Sequence, residues 1–359
     1  MTILCVDDDP WQGPVQGLSI PIDQHQWKGA RVVRLGLPAC DWSHHHNPLV
    51  DTVCRQWFQE EGFDLIHAHC LQMITAAPLK VAGELRIPYL ISLHDAWWLS
   101  PLQFLVREDG RTVNPADPLG HLTPEERELE NGLVAEQARE RRQALQRILA
   151  GAHSRLAVSE RFAGLYRTAG IVNVAVLENP WSPMPCGERR SSDGQQPLRI
   201  CHVGGMAHHK GYGILRAAVH SVALPNTELT VLDHTLPPDE HYCSLWNGTP
   251  VRFQARLAMS SMGEFYAKHD VLVAPSIWPE SYGLVTREAL SAGLWVIASD
   301  IGALAEPIEE GVNGNRIPAG DWRMLAETLL TLARHRPSLP TPEASRPCPV
   351  RGGKVVEIY

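Results

Sequence analysis

The sequence predicts an α/β protein made of two doubly wound, Rossmann-like domains facing across a cleft. Three observations predict it. At 359 residues the chain exceeds the length over which one hydrophobic core keeps growing. Short apolar runs alternate with helix-patterned stretches, as βαβ units and parallel sheets require. Residues 182–197, SPMPCGERRSSDGQQP, are rich in Pro, Gly, Ser and charge and read as a linker. The expected organisation is an N-terminal domain over 1–181, the linker over 182–197, a C-terminal domain over 198–332, and a loose, Pro-rich tail over 333–359.

The elements follow in order. FDLIHAH (63–69) and PYLISLHD (88–95) read as strands bracketing a helix over 71–86. A charge-laced helical stretch at 124–150 leads into the strand SRLAVS (154–159). In the second half the strand LRICHVGG (198–205) runs into two glycines and then the helix KGYGILRAAVHSV (210–222). DVLVAPS (270–276) has the unbroken apolar character of a strand buried on both faces. The IWPES segment turns the chain, a helix is expected from Gly283 to Ala292 with Gly293 as its terminator, and LWVIAS (294–299) is the next strand.

Composition narrows the function. A formal charge of -8 argues against nucleic acid as a partner. No apolar run approaches the ~20 residues needed to span a bilayer, and no basic segment precedes an apolar one at the start, so a cytoplasmic location is expected. The 8 cysteines are scattered without a C-x-x-C pair, which reads as reduced, mostly packed thiols rather than a disulfide frame or zinc site. The acidic run at 7–9 reads as solvated loop, and no D-x-D stands at a plausible strand end.

The chemistry concentrates in WPESYGLVTREALSAG (278–293). Glu280 falls on the loop at the carboxyl end of a strand and Glu288 within the following helix, whose first donors are the N–H groups of about Tyr282 to Val285. A helix N-terminus favours an anion, and a carboxylate accepts paired hydrogen bonds from vicinal hydroxyls. Two carboxylates flanking an anion site suit a molecule with sugar at both ends and pyrophosphate between: a nucleotide-sugar. Taken alone, the spacing favours a capping Glu280 and a solvated Glu288, given how common glutamate is in helices. HVGGMAHHKG (202–211) decides against that, because Gly204 and Gly205 let the backbone approach a ligand and Lys210 supplies a point charge for phosphate.

GGMAHHKG, PSIWPESYGLVTREALSAGLWVIASDIGALAEPI and GVNGNRI together resemble the donor half of the retaining family-4 glycosyltransferases of GT-B fold. The resemblance covers roughly 198–330 well and 63–180 less specifically. It implies transfer of a sugar from a nucleotide-sugar to an acceptor hydroxyl with retention, without a metal or cofactor. It gives Glu280 the donor sugar and Glu288 the ribose diol. The backbone of Ser281, Tyr282, Gly283, Leu284 and Val285 would meet the pyrophosphate, with Lys210 as its clamp and Gly302 and Glu306 matching the following turn and acid. ISLHDAWW resembles the strand end carrying the family's histidine, here His94, with Asp95 as its neighbour. DLIHAHC puts His67 or His69 on the acceptor side. The competing reading of each histidine is a ring satisfied inside the sheet. The implied acceptor is a glycan or lipid-linked glycan in cell-surface polysaccharide or glycoconjugate synthesis, with peripheral association at the inner membrane surface.

Three departures accompany the resemblance. Gly205 stands where the family has an arginine five residues before the lysine. MTILCVDDDP resembles the family's second strand, so the first strand–helix unit is expected to be missing. The Pro-rich tail before KVVEIY is expected to form at most a short remnant of the family's last helix, which crosses back to the first domain. The alternative is a non-catalytic or truncated nucleotide-sugar-binding protein of the same fold; a rival enzyme reading is a sugar-nucleotide epimerase or a phosphorylase.

Overall fold

The computed structural model describes residues 1–6, 11–12, 20–39, 44–180, 196–336 and 339. The linker and tail expected at 182–197 and 333–359, and the acidic run at 7–9, lie almost wholly outside the described residues. Two compact units are present. The first comprises 1–105, 113–158 and 163–176, the second 106–112, 159–162 and 177–359.

Among the described residues the first unit holds two sheets. β1 (Thr2–Val6), β2 (Ile22–Trp27) and β3 (Ala30–Leu35) lie in the order β1-β3-β2, with β1 parallel to β3 and β2 antiparallel to it. Lys28 and Gly29 join β2 to β3 with φ of 46° and 83°, the all-positive φ of a type I′ hairpin turn. The second sheet is wholly parallel, β4 (Ile66–Ala68), β5 (Tyr89–Leu93), β6 (Ser154–Ala157) and β7 (Val174–Val176) in that order, and every residue of β5 is buried. Among the described residues β1 and β4 each end a sheet.

The helices begin and end for local reasons. α1 (Pro48–Glu61) starts where the Asn47 side chain accepts the Leu49 N–H, with Pro48 in its first turn, and stops at left-handed Gly62. Val50, Cys54 and Phe58 line its buried stripe. The helix expected over 71–86 forms only as α2 (Ala77–Glu84), because Thr75 takes a φ of 63° that no right-handed helix contains. The one expected over 124–150 is split. α3 (Pro124–Glu128), held by a Thr123–Glu126 capping box, is separated from α4 (Leu133–Gly151) by Glu130, Asn131 and Gly132 at φ of 52°, 57° and 86°. α5 (Glu160–Thr168) follows β6.

The second unit is one seven-stranded sheet. Its strands are β8 (Leu198–His202), β9 (Thr227–Asp233), β10 (His241–Trp246), β11 (Thr249–Ala255), β12 (Val271–Ala274), β13 (Trp295–Ser299) and β14 (Gly314–Ile317), in the order β10-β11-β9-β8-β12-β13-β14. All neighbours are parallel except β10 with β11, a hairpin the sequence reading missed although its Asn247-Gly248 turn carries the usual signal. Along β12, Val271 and Val273 enter the core beneath α6 (Tyr212–Ser221) and α9 (Trp322–Arg334). Leu272 and Ala274 enter the opposite core with α7 (Met262–Ala267) and α8 (Leu284–Ser291). Period-two alternation into two buried faces makes the strand an unbroken apolar run. At the amino ends of β8 and β12, Arg199 grips Asp270 through its backbone N–H (3.0 Å), Nε (3.0 Å) and Nη2 (2.6 Å), and the Asp270 carbonyl accepts the Trp295 N–H of β13. That fork fixes the register of three strands whose other ends carry the motifs. Of the described cysteines, all free, Cys54 and Cys201 are buried, whereas Cys70 and Cys243 are exposed rather than packed.

Candidate functional site

In the second unit the motif loops leave the carboxyl ends of β8, β12 and β13, where α/β sheets bind ligands. After β8 come Gly204 and Gly205, a single turn at His208–Lys210, and Gly211 at the start of α6. Gly211 has a φ of 78°, and a Cβ there would lie 1.8 Å from the Pro275 carbonyl oxygen. Ile277 N–H donates to the His209 carbonyl at 2.9 Å. The lysine loop is thus pressed against the loop that follows β12, main chain to main chain.

This contact brings together two residues that the sequence separates by seventy positions. Lys210 Nζ donates to Glu280 Oε1 at 2.7 Å, and the same oxygen accepts Ser276 Oγ at 2.7 Å. Glu280 is 7% exposed, and the Lys210 ammonium also lies 5.6 Å from the Trp278 ring centroid. The Glu280 carbonyl accepts the Ala303 N–H at 2.8 Å, and Gly302, at φ 56°, leaves so little room that a Cβ would stand 2.4 Å from Glu280 O.

The Ser281–Val285 turn is braced on both sides. Gly283 caps α8 at φ 72°, so the helix begins at Leu284 rather than Gly283 and ends at Ser291, with Gly293 at φ 78° just beyond. The first-turn N–H groups, Leu284 and Val285 among them, have no acceptor within the helix. The Arg287 guanidinium stacks 4.0 Å from the Tyr282 ring centroid, donates to the Tyr282 carbonyl, and pairs with Glu306 at 3.0 Å. The Tyr282 hydroxyl donates to Glu178 at 3.3 Å. Sequence reasoning missed Arg287 and Glu178; Arg287 lies inside the motif, directly before Glu288, but its spacing gives no signal that it turns back onto Tyr282.

Glu288 is not the solvated residue of the competing reading. It is 8% exposed, accepts the Tyr266 hydroxyl at 3.2 Å, and burial raises its pKa while that hydrogen bond opposes the rise. Its carboxylate keeps acceptor capacity beyond the single tyrosine bond.

The first unit, taken by itself, gathers the expected histidines at the ends of β4 and β5. His69 Nδ1 and His94 Nε2 are 2.9 Å apart, so one ring donates to the other. His67 Nε2 lies 2.9 Å from Ser92 Oγ, and the rings of His67 and His69 are 4.3 Å apart. Burial first, then the neighbouring imidazoles, holds His67 and His94 down at about 4; burial also lowers His69. All three rings are neutral at pH 7. Asp95 turns inward: its carboxylate accepts Trp97 N–H (2.8 Å) and Gln72 Nε2, and its carbonyl accepts the Tyr166 hydroxyl (2.6 Å). Burial raises the Asp95 pKa, and the bonds from Trp97 and Gln72 to its carboxylate oppose the rise. Gln72 and Tyr166 were not anticipated.

The rings carry a stability consequence. Between the unfolded value of 6.5 and the folded value of about 4, the unfolded chain binds protons that the folded rings refuse. Stability therefore falls as pH drops through that window. Thermal unfolding from pH 7 to pH 4 should show a shallower loss in His94→Gln than in wild type; equal slopes would refute this account of the cluster.

Among the described residues no three His, Cys, Asp or Glu side chains are grouped to hold a metal ion, and no helix is long and apolar enough to cross a membrane.

Comparison with known proteins adds the following. Residues 1–180 match the family described as Glycosyl transferase 4-like domain, and residues 197–335 match Glycosyl transferases group 1. A phosphatidyl-myo-inositol mannosyltransferase of Mycobacterium leprae is 36% identical over 85 residues, 24% of this chain and 23% of that protein. The chain thus spans under a quarter of that curated relative. The sucrose-phosphate synthase structure from Thermosynechococcus elongatus superposes with a TM-score of 0.61 at 18% identity, covering 93% of this chain and 79% of that one. Anabaena Alr3699/HepE in complex with UDP-glucose gives 0.55 at 19% identity, covering 79% and 72%. The fold is GT-B.

Proposed function

We propose that this chain, which belongs to the glycosyltransferase 4-like family, transfers a sugar from a nucleotide-sugar to an acceptor hydroxyl with retention at the anomeric carbon. The observation that carries the reading is the Lys210–Glu280 pair, set between two glycine-bounded loops and the start of α8, with buried Glu288 about one helical turn into α8. Lys210 and the first-turn N–H groups of α8 stabilise the charge that grows on the departing diphosphate. Glu288 accepts from the ribose diol, and Glu280 from donor-sugar hydroxyls. The bond from the anomeric carbon to the diphosphate oxygen breaks while the bond to the acceptor oxygen forms on the same face. The acceptor's proton passes to the leaving phosphate oxygen. Neutral His94 orients rather than acts as nucleophile, and no step needs a metal.

Two names support the substrates. HepE is seen with UDP-glucose, and the mycobacterial relative is a phosphatidyl-myo-inositol mannosyltransferase. On that support we propose a nucleotide-sugar donor and a glycan or lipid-linked acceptor for this chain, met by peripheral association with a membrane. A second reading, donor binding without turnover, is favoured by one observation: among the described residues the first unit's strands form two sheets rather than one.

A thermal-shift panel of UDP, GDP, ADP, CMP and their common sugars tests the donor site. A nucleotide at a hundred times its dissociation constant adds about 2.7 kcal/mol, or roughly 2–4 °C per kcal/mol in units of this size. Glu288→Ala should abolish the shift; an undiminished shift would remove the ribose assignment. Incubating the matched donor with sugar and lipid-linked acceptors, and reading the product's anomeric configuration by NMR, tests transfer and retention. A shift without product would favour the second reading.

A further inference from the structure

His202 ends β8 directly beneath the glycine loop and is 1% exposed. Its Nδ1 lies 2.9 Å from the Val273 carbonyl oxygen of β12, and its Nε2 lies 3.0 Å from the Gly205 carbonyl oxygen. A carbonyl oxygen only accepts, and a neutral imidazole carries one N–H. One proton more than the neutral ring holds is needed to make both contacts hydrogen bonds. The ring also touches the loop from below: a Cβ on Gly204 would stand 3.0 Å from its Nε2 and Cε1. Lys210, on the same loop, is paired with Glu280, so part of its charge is already offset before an anion arrives.

We propose that His202 takes up a proton together with the donor's diphosphate, so that a buried imidazolium held between two carbonyls becomes the fixed cation behind the glycine loop. The inference rests on the donor reading given above. In the free protein, burial lowers the ring's pKa, the two carbonyls oppose that, and the charges of Lys210 and His234 lower it further. Lys210 and His234 are the charged and titratable groups that face it, from the turn before α6 and the residue after β9; β12 presents the Val273 carbonyl. A diphosphate on the far side of Gly204 and Gly205 reverses the balance, because an adjacent anion favours the charged ring. Raised in the complex relative to the free protein, the ring strengthens binding below its free pKa. That gain is lost as pH rises through its bound-state pKa.

The test is calorimetry of UDP binding to the full chain in buffers of different protonation enthalpy. Above about pH 7 the terminal phosphate of UDP is ionised and contributes no proton. Wild type should take up close to one proton per UDP, and affinity should fall up to about tenfold per pH unit where uptake is seen. In His202→Gln both effects should vanish. UDP binding without proton uptake, or uptake unchanged in His202→Gln, overturns the inference and leaves the donor site standing. Failure of UDP, GDP, ADP and CMP alike, and of pyrophosphate, to bind removes the donor reading and this inference with it. Should His202→Gln fail to fold, ring ¹⁵N NMR of wild type decides. Two protonated nitrogens on the buried ring that responds to UDP support the proposal, and a bare nitrogen in the complex refutes it.

Discussion

Glu280→Ala should lower turnover by about 10²- to 10³-fold, the range seen when one positioned polar group is withdrawn from a developing transition state. Nucleotide affinity should change far less. Glu280 Oε1 accepts both Lys210 Nζ and Ser276 Oγ at 2.7 Å, so the carboxylate is aimed by two donors before any ligand arrives. Removing it frees Lys210, whose side chain is 30% exposed and able to resolvate or to meet phosphate unaided. Folding therefore suffers less than the loss of a fully buried ion pair would cost, about 3–5 kcal/mol. Glu280→Gln keeps the shape and the contact with Ser276 but removes the charge. Measured side by side, kcat should fall in both variants while the nucleotide Kd stays within a few-fold. An unchanged kcat in Glu280→Ala would take Glu280 out of the chemistry.

Gly211→Ala should be the most damaging small substitution in the second unit. The added carbon would stand 1.8 Å from the Pro275 carbonyl oxygen and 2.5 Å from its carbon, both main-chain atoms that no rotamer change can move. A left-handed φ of 78° adds roughly 1–2 kcal/mol for any L-residue with a side chain. Relief of the clash by backbone displacement costs about 1–3 kcal/mol more. Together these predict a melting temperature lower by roughly 4–20 °C. Gly213→Ala is the control. It sits inside α6 with nothing within 4 Å of the new carbon, and replacing a helical glycine there should stabilise by about 0.5–1 kcal/mol. A Gly211→Ala protein as stable as wild type would show that the two loops do not meet as described.

The sequence was most legible where one physical constraint acts along the chain. β12 could be read because burial on both faces leaves no polar position, and the end of α8 because Gly293 must be left-handed. The break between α3 and α4 was harder: Asn131-Gly132 is a turn signal, but it lay inside a strongly helical stretch and was read through. The β10–β11 hairpin was passed over for the same reason, since alternating strands and helices drew attention from the Asn-Gly turn. In the candidate site, spacing gave the positions of Glu280 and Glu288 along the chain. It carried nothing about Tyr266 reaching Glu288, Ser276 reaching Glu280, or Arg287 stacking on Tyr282. Those depend on how α7 and α8 pack and on where β12 delivers its loop, which no local pattern encodes. The pairing of His69 with His94 joins two different strand ends and was likewise out of reach.

The three loops at the carboxyl edge of the second sheet are joined through peptide groups: Ile277 to His209, Ala303 to Glu280, and Gly211 against Pro275. A joint made of main chain keeps its shape when the side chains around it change, provided the glycines stay. Positions such as Met206, His208 and Leu284, all outside the joint, are therefore where variation can accumulate without disturbing the frame. For protein engineering, this divides the motif into a part to be left alone and a part open to randomisation. A library confined to those outward positions should return folded variants at high frequency, and shifts in ligand preference can be sought there first.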